Sequence, residues 1–374
     1  MIRVANVVKN QKINKKITNE IFKKYSLCNF CSVRLRAKKS LKLADKCFIC
    51  KNLFQQIDGI VTRILQSISS YEFSNFETGI IIKPSLIDKD DHIKSKFQIK
   101  GVSSIKTNVN HELSKQIIRK TGSKINHINS DLTIKVNFKD DSYEIHTKPL
   151  FIYGRYIKKS RTLIQKQCSC VNCHGKGCYS CNFHGLQNFD SVEGQITKFL
   201  IKKFNCLQVK INWMGGEEKS SLVLGNGRPF FAKIINPKKR KGVFRTKIKL
   251  DGIQLLELRK IMMPPKDQAS FKSKIEVLVK TDDLIKDKIF TELEKLEMPL
   301  QIDIHGKKLV TKQIYKLTFK KIPKKLLKIN MYADGGIPIK SFIQGSNVTP
   351  SCTHLLKSKC ECIQFDFKKI DVMS

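Results

Sequence analysis

Eight cysteines set in four Cys-x-x-Cys pairs restrict this chain more than any other feature. Cys28 and Cys31 are separated from Cys47 and Cys50 by fifteen residues. That spacing fits a zinc ribbon, in which each tight turn aims two thiolates at one point and four of them close a tetrahedral structural site. Reduced cysteines in a small core would not need two pairs at this interval. Cys170 and Cys173 are followed after only four residues by Cys178 and Cys181, with Gly175 and Gly177 between them supplying the backbone freedom a compact knuckle requires. Zinc is the expected occupant of both sites. An iron-sulfur cluster is the alternative at the second, where Cys168, His174 and His184 are spare donors. A structural zinc supplies on the order of 10 kcal/mol of folding free energy, so scaffolding alone accounts for both.

The 374 residues allow two or three domains, and 41% of them are hydrophobic with no run long enough for a membrane span. The opening MIRVANVVKNQKINKK lacks the apolar stretch of a secretory signal, so an intracellular, cytoplasmic protein with no membrane partner is expected. Thirteen cysteines in such a chain point to metal more than to disulfides. The formal charge is +39, from 71 Lys and Arg against 32 Asp and Glu, an excess that repels itself unless a polyanion answers it. Codon bias in an AT-rich genome explains part of the lysine count, and nucleic acid is the leading partner for the rest. Because the cations are mostly Lys, much of the affinity should be independent of sequence and sensitive to salt.

The pattern along the chain is α+β. Residues 1–16 form a basic tail, 17–55 the first four-Cys module, 56–165 a mixed module, 166–186 the second knuckle, and 187–374 a large mixed sheet. A short helix is expected over 17–25, and helices over IDGIVTRILQSI and HELSKQIIRKTG, the latter closed by Gly122. GIIIKPSLI reads as a strand ended by Pro84, and LTIKVNF and YEIHTKPLFIYG as further strands. SVEGQITKFLIKKF carries Ser191 and Glu193 near its start and an apolar face of Ile196, Phe199, Leu200 and Phe204, the marks of a capped amphipathic helix. The remainder alternates strands such as IEVLV and QIYKLTFKKI with short helices such as QLLELRKIM. The run Lys238, Lys239, Arg240 and Lys241 is ordinarily a nuclear signal or a solvated turn, but close behind GGEEKSSLVLGNGRPF it reads better as a phosphate clamp.

YSLCNFC, DKCFICKNLF, PLFIYGRY, NCHGKGCYSCNFHG, SVEGQI, LGNGRPF and NPKKRK occur in the order seen in the archaeal and eukaryotic tRNA pseudouridine synthase family numbered ten. The chain resembles that family over nearly its whole length. The resemblance implies a zinc-bearing N-terminal region with a THUMP-related RNA-binding module and a C-terminal pseudouridine synthase domain on a mixed sheet. It also implies tRNA as partner, T-loop uridines as targets, and no organic cofactor. In the family an Asp carboxylate assists glycosidic cleavage, the base rotates, and its C5 rejoins the sugar.

Laid back from LGNGRPF, the family's catalytic Asp falls on Glu218, the neighbouring Arg on Gly216, a second Asp on Ser220 and a second Arg on Leu222. Glu keeps the carboxylate but moves it outward by about an ångström, a displacement that can cost roughly a hundredfold in rate. A Tyr of a Lys-x-Tyr-Arg-like stretch aligns with Phe271 of SFKSK, which keeps a ring for stacking. A second Tyr aligns with Pro338 of GGIPIKSF, and Arg228 is left to support the loop. Two readings follow: a synthase that uses Glu218 in place of Asp, or a catalytically lapsed member that still binds tRNA. A zinc-dependent deaminase is a distant third, because the chain lacks His-x-Glu followed by Pro-Cys-x-x-Cys.

Overall fold

The computed structural model describes residues 15–36, 46–265, 270–294, 298–304 and 308–373, so nearly all of the expected basic tail lies outside it. The chain divides between Lys148 and Pro149 into two compact units.

In the first unit the helix expected over 17–25 forms as Lys15–Lys24. The four-Cys module is not a separate body. Ile21, Leu27, Cys31, Cys47 and Ile49 are buried in the same core as Ile57, Val109 and Ile134, because so few residues cannot enclose an apolar core alone. Helix Leu53–Ile68 buries Ile57, Ile60, Val61, Ile64 and Ile68 on one stripe. Strand Asn75–Ile81 lies between Lys124–Ile125 and Leu132–Asn137, parallel to both, and Ser142–Thr147 adds an antiparallel edge. Pro84 does not merely end a strand: it opens helix Pro84–Lys96, where its missing N–H costs nothing. Helix Ile105–Thr121 is capped by Ser104 Oγ, which accepts from Thr107 N at 3.1 Å, and ends at Gly122 with φ +69°. The buried Asp90 carboxylate ties these helices together, accepting from Arg34, from Lys94 Nζ at 2.7 Å and from the Ile105 amide at 3.0 Å.

The second unit is built on an eleven-stranded sheet. One half runs Val348–Thr349, Met298–Ile304, Lys308–Ile322, Leu326–Asp334, Phe271–Thr281 and Cys360–Val372; the other runs Val223–Ile235, Leu150–Lys158, Ile253–Ile261 and Lys247–Lys249, with Gln208–Trp213 also paired to Val223–Ile235. Neighbours are antiparallel except at the seam, where Phe367 meets Val223 in a parallel bridge. The LGNGRPF glycines belong to this seam. A Cβ on Gly225, at φ +56°, would lie 2.1 Å from the Lys368 carbonyl, so only glycine lets the two halves approach. Helix Val192–Phe204 forms as expected, with Ser191 Oγ accepting from Gly194 N at 2.9 Å, and packs Ile196, Leu200 and Phe204 against the sheet.

The structure departs from two expectations. The mixed module was expected to run to residue 165, but Leu150–Lys158 is hydrogen-bonded on both sides within the second sheet, and Pro149, which has no N–H, interrupts the run from Ser142. QLLELRKIM is not a helix but the strand Ile253–Ile261. Glu257 adopts φ +51° at a register shift opposite Gly154, and the extra residue of this bulge places buried Leu255 and Leu258 at a spacing that imitates a helix.

Candidate active site

The segment Met214–Leu222 links strand Gln208–Trp213 to strand Val223–Ile235. Its anchor is Glu217, whose side chain is fully buried. Tyr156 Oη lies 2.6 and 2.8 Å from the two carboxylate oxygens and donates to them. Arg228 Nε donates at 2.7 Å, and Lys158 Nζ stands 4.0 Å away. Tyr156 and Lys158 are alternate residues of one strand, and Tyr156 faces Arg228 across the ladder, so the pleat delivers all three donors to one point. Burial, and then the charge of Glu217, push the Tyr156 pKa well above its ordinary value, which keeps the phenol protonated as a donor. Burial lowers the Lys158 pKa, and Glu217 acts against that shift.

The same cations hold the loop backbone. Lys158 Nζ donates to the carbonyls of Leu163 and Glu218 at 2.9 Å and of Lys219 at 3.1 Å. Arg228 Nη1 donates to the Met214 carbonyl at 2.9 Å. Arg161 grips Asp366 with both terminal nitrogens at 2.7 Å and reaches the Ser220 carbonyl, while Asp366 accepts from Leu222 N at 2.9 Å. Although burial pushes the Asp366 carboxyl up, the Arg161 and Leu222 bonds outweigh it and hold its pKa below the usual value.

Glu218 is oriented otherwise. Its side chain is 37% exposed and pairs with Lys340 Nζ at 2.8 Å, a contact that raises the Lys340 pKa. Lys340 lies in helix Ile339–Gln344, directly after Pro338. Of the two adjacent carboxylates, Glu217 is enclosed by its own donors and Glu218 is open to a ligand.

Beside the loop a cavity of about 180 Å³ is lined by Gly215 and Gly216 together with Arg228, Phe271 and Pro338. Three of the candidate residues, Arg228, Phe271 and Pro338, therefore line one cavity, whereas Glu218 is not among its lining residues. The Phe271 ring is wedged tightly: a Cβ on Gly335 would fall 2.3 Å from it. Two buried polar atoms of this lining have no hydrogen-bond partner among the described residues, Arg228 Nη2 and Ser273 Oγ. Such atoms are costly to leave unsatisfied. Lys238, Lys239, Arg240 and Lys241 are not close behind this loop. They follow the far end of strand Val223–Ile235, where the Lys239 amide donates to the Phe204 carbonyl at 2.8 Å, roughly 25 Å along the strand from Arg228, which holds the loop, by its rise per residue.

Both cysteine sets converge. Within Cys28, Cys31, Cys47 and Cys50, and again within Cys170, Cys173, Cys178 and Cys181, the sulfurs lie within 4.8 Å of one another, so each set could hold a metal ion. Sulfur separations of 3.8 to 3.9 Å in the second set and 3.5 Å between Cys28 and Cys50 approach the edge of about 3.8 Å that tetrahedral 2.3 Å bonds require. Cys168, His174 and His184 fall outside the second set. His184 Nδ1 is instead engaged by Leu186 N at 3.1 Å.

Two family models match. Residues 60–137 match "Pus10 THUMP domain, archaeal", and residues 151–371 match "Pus10, C-terminal". The chain belongs to the Pus10 family. A "tRNA pseudouridine synthase Pus10" of Nitrosopumilus maritimus is 39% identical over 95% of this chain and 97% of its own length. The protein of the same name from Cenarchaeum symbiosum is 30% identical over 93% of this chain and 90% of its own. A solved Cbf5-Nop10-Gar1 complex overlaps 58% of each chain at a TM-score of 0.28 and 10% identity, too slight a likeness to bear on the site. The two Pus10 matches fall on either side of the Lys148–Pro149 division.

Tyr156, Lys158, Gln165, whose Nε2 donates to Tyr156 Oη at 2.9 Å, Ser273, Lys340 and Asp366 carry no mark in the sequence reading. A signal did exist for the first two: in Leu150–Lys158 the period of two puts Tyr156 and Lys158 on the same face as the buried Ile152, although Tyr153 and Arg155 on the other face are buried too. A lysine on the buried face of a strand asks for an acceptor. The remaining four come from segments distant in sequence and carry no local pattern.

Asp366 gives the site a pH dependence. Its folded pKa is depressed, so its stabilising contribution is complete above the ordinary value of 3.8 and is lost as pH falls through the folded value. Asp366→Asn should therefore be less stable than the parent at neutral pH, with the gap narrowing as acid protonates the parent's Asp366. Urea melts at stepped pH read this, and a gap independent of pH would contradict it.

Proposed function

We propose that this Pus10-family chain isomerises uridine to pseudouridine in tRNA, acts in the T loop, and uses Glu218 as the carboxylate at the reacting nucleotide. One observation carries this reading: an accessible carboxylate sits on a loop immobilised by the Glu217 cluster, beside a cavity whose Arg228 Nη2 and Ser273 Oγ lack partners. The reaction breaks the C1′–N1 bond and forms C1′–C5; C5 gives up a proton and N1 gains one, so no oxidant, reductant or organic cofactor enters. In this scheme Glu218 assists C1′–N1 cleavage, Phe271 and Pro338 form apolar walls against the extruded base, and Arg228 supplies a hydrogen-bond donor. Extrusion costs a few kcal/mol, least from a loop, and the charge of +39 favours a polyanionic substrate. A folded tRNA is large enough for its phosphates to meet Lys238, Lys239, Arg240 and Lys241 at the far end of the strand. Among the described residues no helix is long and apolar enough to cross a membrane, and the proposed compartment is the cytoplasm.

Incubation with unmodified tRNA followed by chemical mapping tests the reading. The parent should form pseudouridine in the T loop, Glu218→Asp should retain product, and Glu218→Ala should lose at least about a hundredfold in rate. Product that persists in Glu218→Ala removes Glu218 from its role. Tight, salt-sensitive binding without product from the parent leaves only the tRNA-binding member.

Zinc is the proposed ion at both cysteine sets, in a structural role. The purified chain should be colourless and carry two zinc ions by elemental analysis, and Cys47→Ser should lose one of them. A brown protein containing iron would overturn the assignment at the second set.

A further inference from the structure

The first unit holds a cavity of about 340 Å³ that the reaction does not use. Its walls are helix Asn29–Arg34, the start of Leu53–Ile68, and the one-face positions Asn108, His111 and Glu112 of Ile105–Thr121. Phe30 and Phe54 stack there with centroids 4.9 Å apart and planes 4° from parallel. Phe54 is buried, but Phe30 is 48% exposed and Val33 58%, so one face of the Phe30 ring is covered by Phe54 and the other is left open. The buried Arg34 also lines the cavity. Its terminal nitrogens bond Asp90 and the Ser103 carbonyl, and its Nε has no hydrogen-bond partner among the described residues.

An open aromatic face and an orphaned N–H suit a flat ring that carries an acceptor. A cation stands at the rim for a phosphate: Lys115 Nζ, half-exposed, lies 3.9 Å from Glu112, the one carboxylate of the lining. Those three requirements together describe an unpaired nucleotide. We propose that this cavity binds an unpaired nucleobase of RNA, stacked on Phe30, with Arg34 Nε donating to a ring acceptor. The proposal rests on the reading that this chain binds RNA, and not on isomerisation. It also gives the first cysteine set a consequence for binding. The helix bearing Phe30 begins immediately after Cys28 and the one bearing Phe54 begins shortly after Cys50, so closing the four thiolates sets the Phe30–Phe54 stack.

The test uses the full metal-bound chain with a single-stranded oligoribonucleotide containing 2-aminopurine, and a duplex of equal length as comparison. Binding of the single strand should quench the fluorophore. Phe30→Ala should abolish the quench and weaken binding roughly 5- to 150-fold, while Phe30→Trp restores both. Unchanged metal content and melting separate a lost platform from a lost fold, because Phe30 is half-exposed. Quenching and affinity that survive Phe30→Ala overturn the proposal, as does a parent that prefers the duplex. A change in self-association alone in Phe30→Ala also overturns it, since a second copy would then be what covers Phe30. If tRNA is still isomerised when the quench is absent, only this proposal falls. If the parent binds no RNA, the functional reading falls with it.

Discussion

A carboxylate taken out of water must be met by donors of matching geometry, and the Glu217 side chain meets Tyr156, Arg228 and, at the edge of contact, Lys158. Removing one member of such a buried group typically costs about 3–5 kcal/mol, because the partners left behind stay buried and charged. The group therefore has essentially one arrangement, and the loop that carries Glu217 inherits it. Lys158 and Arg228 extend the same constraint to the backbone through the carbonyls of Met214, Glu218 and Lys219. Glu218, one residue further, is left free of this packing and projects toward Lys340. A buried acid thus positions an exposed one.

The rest of the second unit serves that placement. Tyr156, Lys158 and Arg228 come from two adjacent strands in register, while Asp366 and Phe367 come from the strand across the parallel seam. Gly225 allows the two halves to close, and Asn226 exchanges side-chain bonds with the Ile370 backbone at 2.9 Å in both directions. The second cysteine set is joined to the same body by Gln208, which donates to the Gly175 carbonyl at 2.9 Å. In the first unit, Cys31, Cys47 and Cys50 of the other set are themselves core residues, and the partly buried Cys28 packs against them.

Much of this was legible in the sequence because it depends on local spacing. The two cysteine sets, the Ser191 cap and the helix behind it, and the alternation of LTIKVNF each follow from residues a few positions apart. The gathering of Arg228, Phe271 and Pro338 was legible only through resemblance, since no periodicity links them. The failures share a cause as well. QLLELRKIM imitated a helix because a bulge at Glu257 shifted its alternation, and the run from Tyr143 looked continuous because a sheet boundary at Pro149 has no signal beyond the proline itself. The Lys238–Lys241 run reads as close to the loop because it is near in sequence, whereas the stretch of strand from Arg228 to Ile235 carries it away. Ser273 shares a strand face with Phe271, two residues on, and only the cavity reveals its unpaired hydroxyl.

The central claim is that Glu217 holds the loop so that Glu218 stands in place. Hydrogen exchange on the backbone amides of residues 214–222 tests it most directly, comparing the parent with Glu217→Gln. The account predicts that these amides lose protection in the variant while the strands flanking the seam keep theirs. Protection of the loop that is unchanged in a folded Glu217→Gln protein would contradict it.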